Sequence, residues 1–353
     1  MSRPLQALIH RDALSHNLAV ARSKTTARIL AVVKANGYGH GLLPVATALA
    51  AADGFAVLTL EEAVRLREAG FRQPILLLEG VFAPDELGEA VQRQLMLVVH
   101  EEEQLAMLEA LPPGPRLEVF LKVNTGMNRL GFSAADFPAA WARLQACPVV
   151  ARITFMTHFA CADEAGGPGE QLARFFRLIG DSRNFSAANS AALLRYPETH
   201  GAWVRPGLML YGASPFPEQT AAELGLQPAM SLVSRVIAVQ RLGRGDAVGY
   251  GATFVAPGDM RVGIVACGYA DGYPRHAGTG TPVLVDGAPS RTLGRVSMDM
   301  LAVDLTHLPG AGVGTPVTLW GRGLPVETVA ACAGTVSYEL LTGRAERVPL
   351  FVE

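Results

Sequence analysis

Between residues 28 and 212 the chain repeats one pattern, a short and nearly unbroken apolar run followed by a stretch of helical period. The apolar runs fall at Arg28–Lys34, Gly54–Leu58, Pro74–Glu79, Leu95–Val99, Leu117–Val123, Val149–His158, Asn184–Ala188 and Trp203–Tyr211. Between them, Leu42–Ala52, Leu60–Ala69, Pro84–Val91, Glu101–Ala110, Ala134–Ala146 and Gly169–Ile179 space their apolar residues as helices do. Strands without a polar alternate are buried on both faces, as in a parallel sheet covered by helices. Eight such runs predict an α/β fold, a (β/α)8 TIM-type barrel, over residues 1–226. No G-x-G-x-x-G follows any of the runs, which argues against a dinucleotide-binding sheet.

Beyond residue 226 the pattern changes. Leu232–Val239, Arg261–Ala266, Pro282–Val285, Leu301–Leu305 and Thr315–Leu319 are short and separated by Gly and Pro turns, and only Pro325–Ala333 reads as helical. Residues 227–353 are therefore expected to form an all-β C-terminal domain, with the first ten or so residues of the chain pairing with it. Half of the residues are hydrophobic and 18% are charged, which excludes a disordered chain. A net charge of −2 offers no electrostatic case for nucleic acid or an anionic membrane. The start, MSRPLQALIHRDAL, lacks the basic and apolar regions of a secretory leader. The four cysteines (Cys147, Cys161, Cys267, Cys332) are scattered, so a cytoplasmic location is expected.

Among thirty lysines and arginines only three are lysine: Lys24, Lys34 and Lys122. Lys24 lies in a polar stretch, whereas Lys34 and Lys122 end apolar runs. A lysine at a strand end loses solvation of its ammonium, and the free amine that results can form a Schiff base. Active sites of such barrels lie at the C-terminal ends of the strands. Those ends carry Lys34, Lys122, His158, Asn189-Ser190 and Arg205-Pro206-Gly207. The Tyr38 hydroxyl, Ser190 and the Gly207 amide are natural phosphate donors, and the glycines after Lys34 admit positive φ. A lysine with distributed phosphate donors suggests pyridoxal phosphate, with a sugar-phosphate aldolase as the competing chemistry.

The segment Ala31-Val-Val-Lys-Ala-Asn-Gly-Tyr-Gly-His-Gly41 resembles the pyridoxal-attachment signature of the alanine racemases. Lys122-Val-Asn-Thr-Gly-Met-Asn-Arg-Leu-Gly131, Thr157-His-Phe-Ala160, Asn189-Ser-Ala-Ala192 and Val204-Arg-Pro-Gly-Leu-Met-Leu-Tyr-Gly212 follow in that family's order. So do Gly249-Tyr-Gly-Ala-Thr-Phe254, Gly268-Tyr-Ala-Asp-Gly272, Gly294-Arg-Val-Ser-Met-Asp299 and Ser337-Tyr-Glu339 in the second domain. The resemblance spans nearly the whole chain and implies interconversion of L- and D-alanine through a pyridoxal-phosphate external aldimine. The product would serve the cell wall, or D-alanine would be degraded.

By that resemblance Lys34 and Tyr250 are the two catalytic bases, one for each face of Cα, with Tyr250 delivered by the partner subunit of a homodimer. Lys34, Tyr38, His158, Ser190, Arg205, Gly207, Leu208 and Tyr338 are implied to bind the cofactor, Arg205 at the pyridine nitrogen. Arg129, Met298, Asp299 and Tyr269 are implied around the alanine substrate, and Lys122 is the lysine that carries a carbamate in relatives. Asn124 stands where the family often has aspartate, and Ser297 occupies a variable position. A barrel-type pyridoxal decarboxylase would need its own cysteine motif, and a non-enzymatic pyridoxal-phosphate carrier would lack the second domain. A metal-dependent hydrolase is disfavoured because the histidines show no H-x-H or H-E-x-x-H spacing.

Overall fold

The computed structural model describes residues 3–112 and 114–353. The chain opens with β1 (Gln6–Ile9) and a helix, Arg11–Ser23. Eight parallel strands then close a barrel: β2 (Arg28–Val32), β3 (Gly54–Val57), β4 (Ile75–Leu77), β5 (Met96–Val99), β6 (Leu117–Lys122), β7 (Val150–Met156), β8 (Phe185–Ser186) and β9 (Trp203–Val204). Closure runs through the registers Arg28↔Trp203 and Ile29↔Val204. Strands β3, β4 and β5 are buried at every residue, as their unbroken apolar character requires.

One apolar run differs from expectation. Trp203–Tyr211 is not a single strand: β9 stops at Val204, and a 3-10 turn occupies Leu208–Tyr211. Pro206 has no N–H to give a ladder, and Gly207 turns the chain with φ −123° and ψ −91°. The run is apolar because it is buried throughout, so hydrophobicity could not mark where the strand ends.

The second body of structure is an eight-stranded sheet ordered β13-β16-β15-β14-β17-β10-β1-β18. Its strands are β10 (Met230–Leu242), β13 (Met260–Val265), β14 (Pro282–Val285), β15 (Ala288–Leu293), β16 (Leu301–Asp304), β17 (Pro316–Trp320) and β18 (Leu350–Val352), while β11 (Ala247–Val248) and β12 (Phe254–Val255) form a separate hairpin. The long β10 bends, pairing with β1 and β17 along its first half and with β13 along its second. β1 lies between β10 (antiparallel) and β18 (parallel), so both chain ends enter this sheet. Two helices accompany it, Val326–Cys332 and Ser337–Thr342. The second helix departs from the reading that only Pro325–Ala333 is helical. At six residues it is too short to display a period.

That short helix meets the barrel at Gly39. A Cβ on Gly39 would stand 2.1 Å from the Leu341 carbonyl oxygen, and its φ of +78° is left-handed. Arg344 Nε donates to the Gly39 carbonyl at 3.1 Å on the same contact. Gly39→Ala is therefore expected to lower stability by about 2 kcal/mol or more, read as a drop in thermal midpoint. An unchanged midpoint would mean that this helix does not rest on the barrel rim.

Candidate active site

The strand ends open into a cavity of about 570 Å³. Lys34, Tyr38, Lys122, Arg129, His158, Ser190, Arg205, Gly207, Leu208 and Tyr338 all line it, although they come from six separate stretches of sequence. Tyr338 arrives from the second domain on the helix that packs at Gly39. Tyr250, Tyr269, Met298 and Asp299 do not line it. Tyr250 is 69% exposed and Met298 53%, on the surface of the β domain. Asp299 accepts from Arg347 at 2.7 Å, and the Tyr269 amide donates to the Ser297 carbonyl at 3.0 Å.

Lys34 follows β2 directly and begins a turn with unusual backbone. Ala35, Asn36, Gly37 and Tyr38 have φ of 54°, 53°, 63° and 49°, a single left-handed turn. The glycines of this turn admit positive φ, yet three residues with side chains share it. Each such L-residue costs about 1–2 kcal/mol, so the surroundings must hold the turn in place. Inside it, Asn36 Oδ1 accepts from the Leu42 amide at 3.0 Å, and the Asn36 carbonyl accepts from the Gly41 amide at 2.9 Å. His40, fully buried, donates Nδ1–H to the Tyr38 carbonyl at 2.7 Å, and burial pulls its imidazole down to about 4, so it stays neutral. The Tyr38 ring stacks on Tyr211 at 4.4 Å, whose hydroxyl donates to the Val32 carbonyl at 2.9 Å.

Arg205 forms the floor. It is buried, and its guanidinium donates to Ser186 Oγ at 2.6 Å, to the Thr157 carbonyl at 2.8 Å and to His158 Nδ1 at 3.4 Å. Among the described residues none of its partners is a carboxylate. Burial pulls it down to about 10, which leaves it charged at neutral pH. Above it Ser190 Oγ accepts the amides of Gly207 at 2.9 Å and Met209 at 3.2 Å. Gly207 is needed for closeness, because a Cβ there would lie 2.5 Å from the Tyr38 hydroxyl.

The walls are strongly cationic. Lys34, Lys122, Arg129 and Arg205 face one carboxylate, Glu79. Burial, helped by Arg129, holds the Lys34 amine below the usual lysine range, against the pull of Glu79 and Glu62. Lys122 is pulled further, to about 8, by burial and then by Arg205 and Arg129. His158 falls to about 3 through burial and the same cations, so it is a neutral ring. The arrangement suits a ligand with several negative charges, a face for stacking and a carbonyl for an amine. Clustered amide, hydroxyl and phenol donors around Gly207, with a nucleophilic lysine across from them, fit pyridoxal phosphate.

Sequence reasoning passed over Glu79, Leu58, Leu78 and Tyr211. Glu79 ends an apolar run just as Lys34 does, so reading every strand end alike would have found it. Tyr211 carries no such signal, since its part is packing behind Tyr38. Among the described residues no group of three or more His, Cys, Asp or Glu could hold a metal ion. No helix among them is long and apolar enough to cross a membrane.

Comparison with known proteins gives a consistent set of relatives. The family described as alanine racemase, N-terminal domain, matches residues 9–215, and that described as alanine racemase, C-terminal domain, matches residues 229–352. An alanine racemase of Nitrosospira multiformis is 59% identical over 353 residues, covering 99% of each chain. One from Thiobacillus denitrificans is 58% identical over 350 residues, covering 99% of this chain and 95% of the relative. The crystal structure of the biosynthetic alanine racemase from Pseudomonas aeruginosa superposes with a TM-score of 0.96 at 49% identity, covering 99% of each chain. That of alanine racemase from Acinetobacter baumannii gives 0.92 at 36%, covering 99% of this chain and 100% of the other.

The buried Lys122 yields a signed expectation. Its ammonium titrates near 8 in the fold and at an ordinary 10.5 when exposed, so the unfolded chain binds more protons between those values. Stability then rises as pH rises through about 8 toward 10.5. Lys122→Met, in CO2-free buffer, should unfold at a higher temperature than the parent at pH 7, with the gap closing by pH 10. A gap independent of pH would show that Lys122 is not desolvated.

Proposed function

The chain belongs to the alanine racemase family and interconverts L- and D-alanine, and from that premise we propose that Lys34 carries pyridoxal phosphate and divides the proton transfers with Tyr250 of a second copy of the chain. The observation that carries this reading is a lysine amine kept less basic than usual in a cavity walled by Lys122, Arg129 and Arg205. Ser190, Gly207, Leu208, Tyr38 and Tyr338 would hold the phosphate, and the neutral His158 ring would lie against the cofactor. Bound there, pyridoxal phosphate supplies an electron sink that makes the substrate's α-proton acidic.

The residues of the chain then do the stereochemical work. Lys34, as a free amine, would take or return the α-proton on one face. Inversion requires a second group on the opposite face, and Tyr250 is proposed for it. Its phenol is largely exposed and outside its own chain's cavity, which supports delivery to another copy. Tyr269, Met298 and Asp299, also outside that cavity, would travel with it and narrow the entrance around a small side chain. Arg129 would pair with the substrate carboxylate.

Arg205 would meet the pyridine nitrogen, a position where many pyridoxal enzymes keep a carboxylate. As a donor that does not readily release its proton, it would leave the ring nitrogen largely unprotonated and the sink weak, favouring inversion over transamination. Lys122, titrating near 8, presents free amine to CO2. Its nitrogen would bond the carbon and release a proton, and the carbamate formed would be an anion facing Arg129. The biosynthetic designation of the similar Pseudomonas aeruginosa protein supports a role in supplying D-alanine over one in degrading it.

Incubation of L-alanine with the pyridoxal-phosphate-loaded protein in D2O should exchange the α-proton and accumulate D-alanine, followed by NMR and chiral chromatography. Tyr250→Phe should lose inversion by a factor of about 10² or more. Unchanged inversion in that variant would remove Tyr250 from the mechanism. Arg205→Glu should raise the ratio of pyruvate to racemised alanine, and an unchanged ratio would count against the weak-sink role.

A further inference from the structure

Glu62 sits in the first turn of the helix Leu60–Glu68, three residues after its cap Thr59, and Thr59 Oγ1 accepts the Glu62 amide at 3.3 Å. In the reciprocal half of such a capping box the glutamate returns its carboxylate to the amide of the cap residue. Glu86 does so at the head of the helix Pro84–Gln92, where Oε2 accepts from Ala83 at 3.3 Å and from Phe82 at 2.6 Å. Glu62 is used differently. Its Oε2 takes the Leu58 amide at 3.1 Å, and its Oε1 reaches the Asn36 amide at 3.0 Å, inside the left-handed turn after Lys34.

One carboxylate therefore ties two adjoining rim loops, those following β2 and β3, and residues of both loops (Lys34, Ala35, Leu58) line the cavity. The Asn36 amide lies at φ +53° in a turn whose neighbours Ala35 and Tyr38, at φ 54° and 49°, adopt a left-handed conformation that their side chains do not favour. An ionised acceptor makes a stronger bond to that amide than a neutral one would. Asn36 in turn holds Leu42 through its side chain, so the clamp continues to the end of the turn.

We propose that Glu62 is a positioning residue: its carboxylate, diverted from its own helix cap, clamps Asn36 in the left-handed turn and so fixes the direction from which Lys34 presents its amine to the cavity. The role rests on the reading that Lys34 carries pyridoxal phosphate. The helix start serves as anchor, and Thr59 supplies a control, since it caps the same helix without touching Asn36.

The test compares Glu62→Ala, Glu62→Gln and Thr59→Ala as full-length, pyridoxal-phosphate-loaded proteins. Three quantities are read: amide hydrogen exchange of segment 34–38, retention of the cofactor on dilution, and kcat and KM for alanine. Glu62→Ala should exchange that segment about tenfold faster, lose cofactor more readily and fall in kcat with little change in KM. Glu62→Gln should lie between, because its amide keeps one acceptor and turns an N–H against the other backbone amide. Thr59→Ala should lower the thermal midpoint and leave all three readouts near the parent. Equal effects of Thr59→Ala and Glu62→Ala would reduce Glu62 to a helix cap and overturn the proposal, as would unchanged exchange in Glu62→Ala. If the parent forms no borohydride-reducible adduct at Lys34, the cofactor reading itself fails and takes this role with it.

Discussion

Backbone hydrogen bonds between the first and last barrel strands, continued by the Val32 amide donating to the Pro206 carbonyl at 3.0 Å, bring Lys34 and Arg205 to one rim. Everything at the site follows from that closure. Lys34 leaves β2 and Arg205 leaves β9, so the two approach only when the sheet joins its own edge. The chain between them contributes Lys122 and His158 at the ends of intervening strands. A barrel that closed in another register would carry the same side chains to different heights.

Closure also sets the electrostatics. Four cations around one carboxylate are expensive where two of them, Lys122 and Arg205, are buried. The fold meets that cost unevenly. Arg205 spends its donors on Ser186, Thr157 and His158, neutral acceptors that leave its charge uncancelled. Lys34 and Lys122 respond by becoming weaker bases. The surplus positive charge is the complement of a ligand bearing phosphate and carboxylate groups, and the strained turn at Lys34 belongs to the same arrangement. Stability is given up where binding and amine chemistry are wanted.

The second domain reaches this cavity through one short helix. Its short helix Ser337–Thr342 rests on Gly39 and brings Tyr338 to within 6.0 Å of the Tyr38 ring. Elsewhere on that domain Tyr250, Tyr269 and Met298 are exposed and do not line this chain's cavity.

The barrel was legible in the sequence because strands buried on both faces are apolar at every position, a signal that survives without any knowledge of the fold. Lys34 and Lys122 were legible because a chain so poor in lysine keeps it at two strand ends. The family motifs alone pointed to Tyr250 and Met298, which no local pattern marks. What the sequence could not show is what depends on neighbours distant along the chain. The end of β9 is hidden in a run that is apolar because it is buried. The left-handed φ of Ala35 and Tyr38 opposes their own preference, and the turn they share with Asn36 is held by contacts with Glu62, Leu42 and Tyr211. The weakened basicity of the two lysines is a property of the closed cavity, since desolvation and the field of Arg205 and Arg129 exist only once the barrel has formed. Local composition determined which groups were available for chemistry, and tertiary closure decided their spacing, charge state and direction.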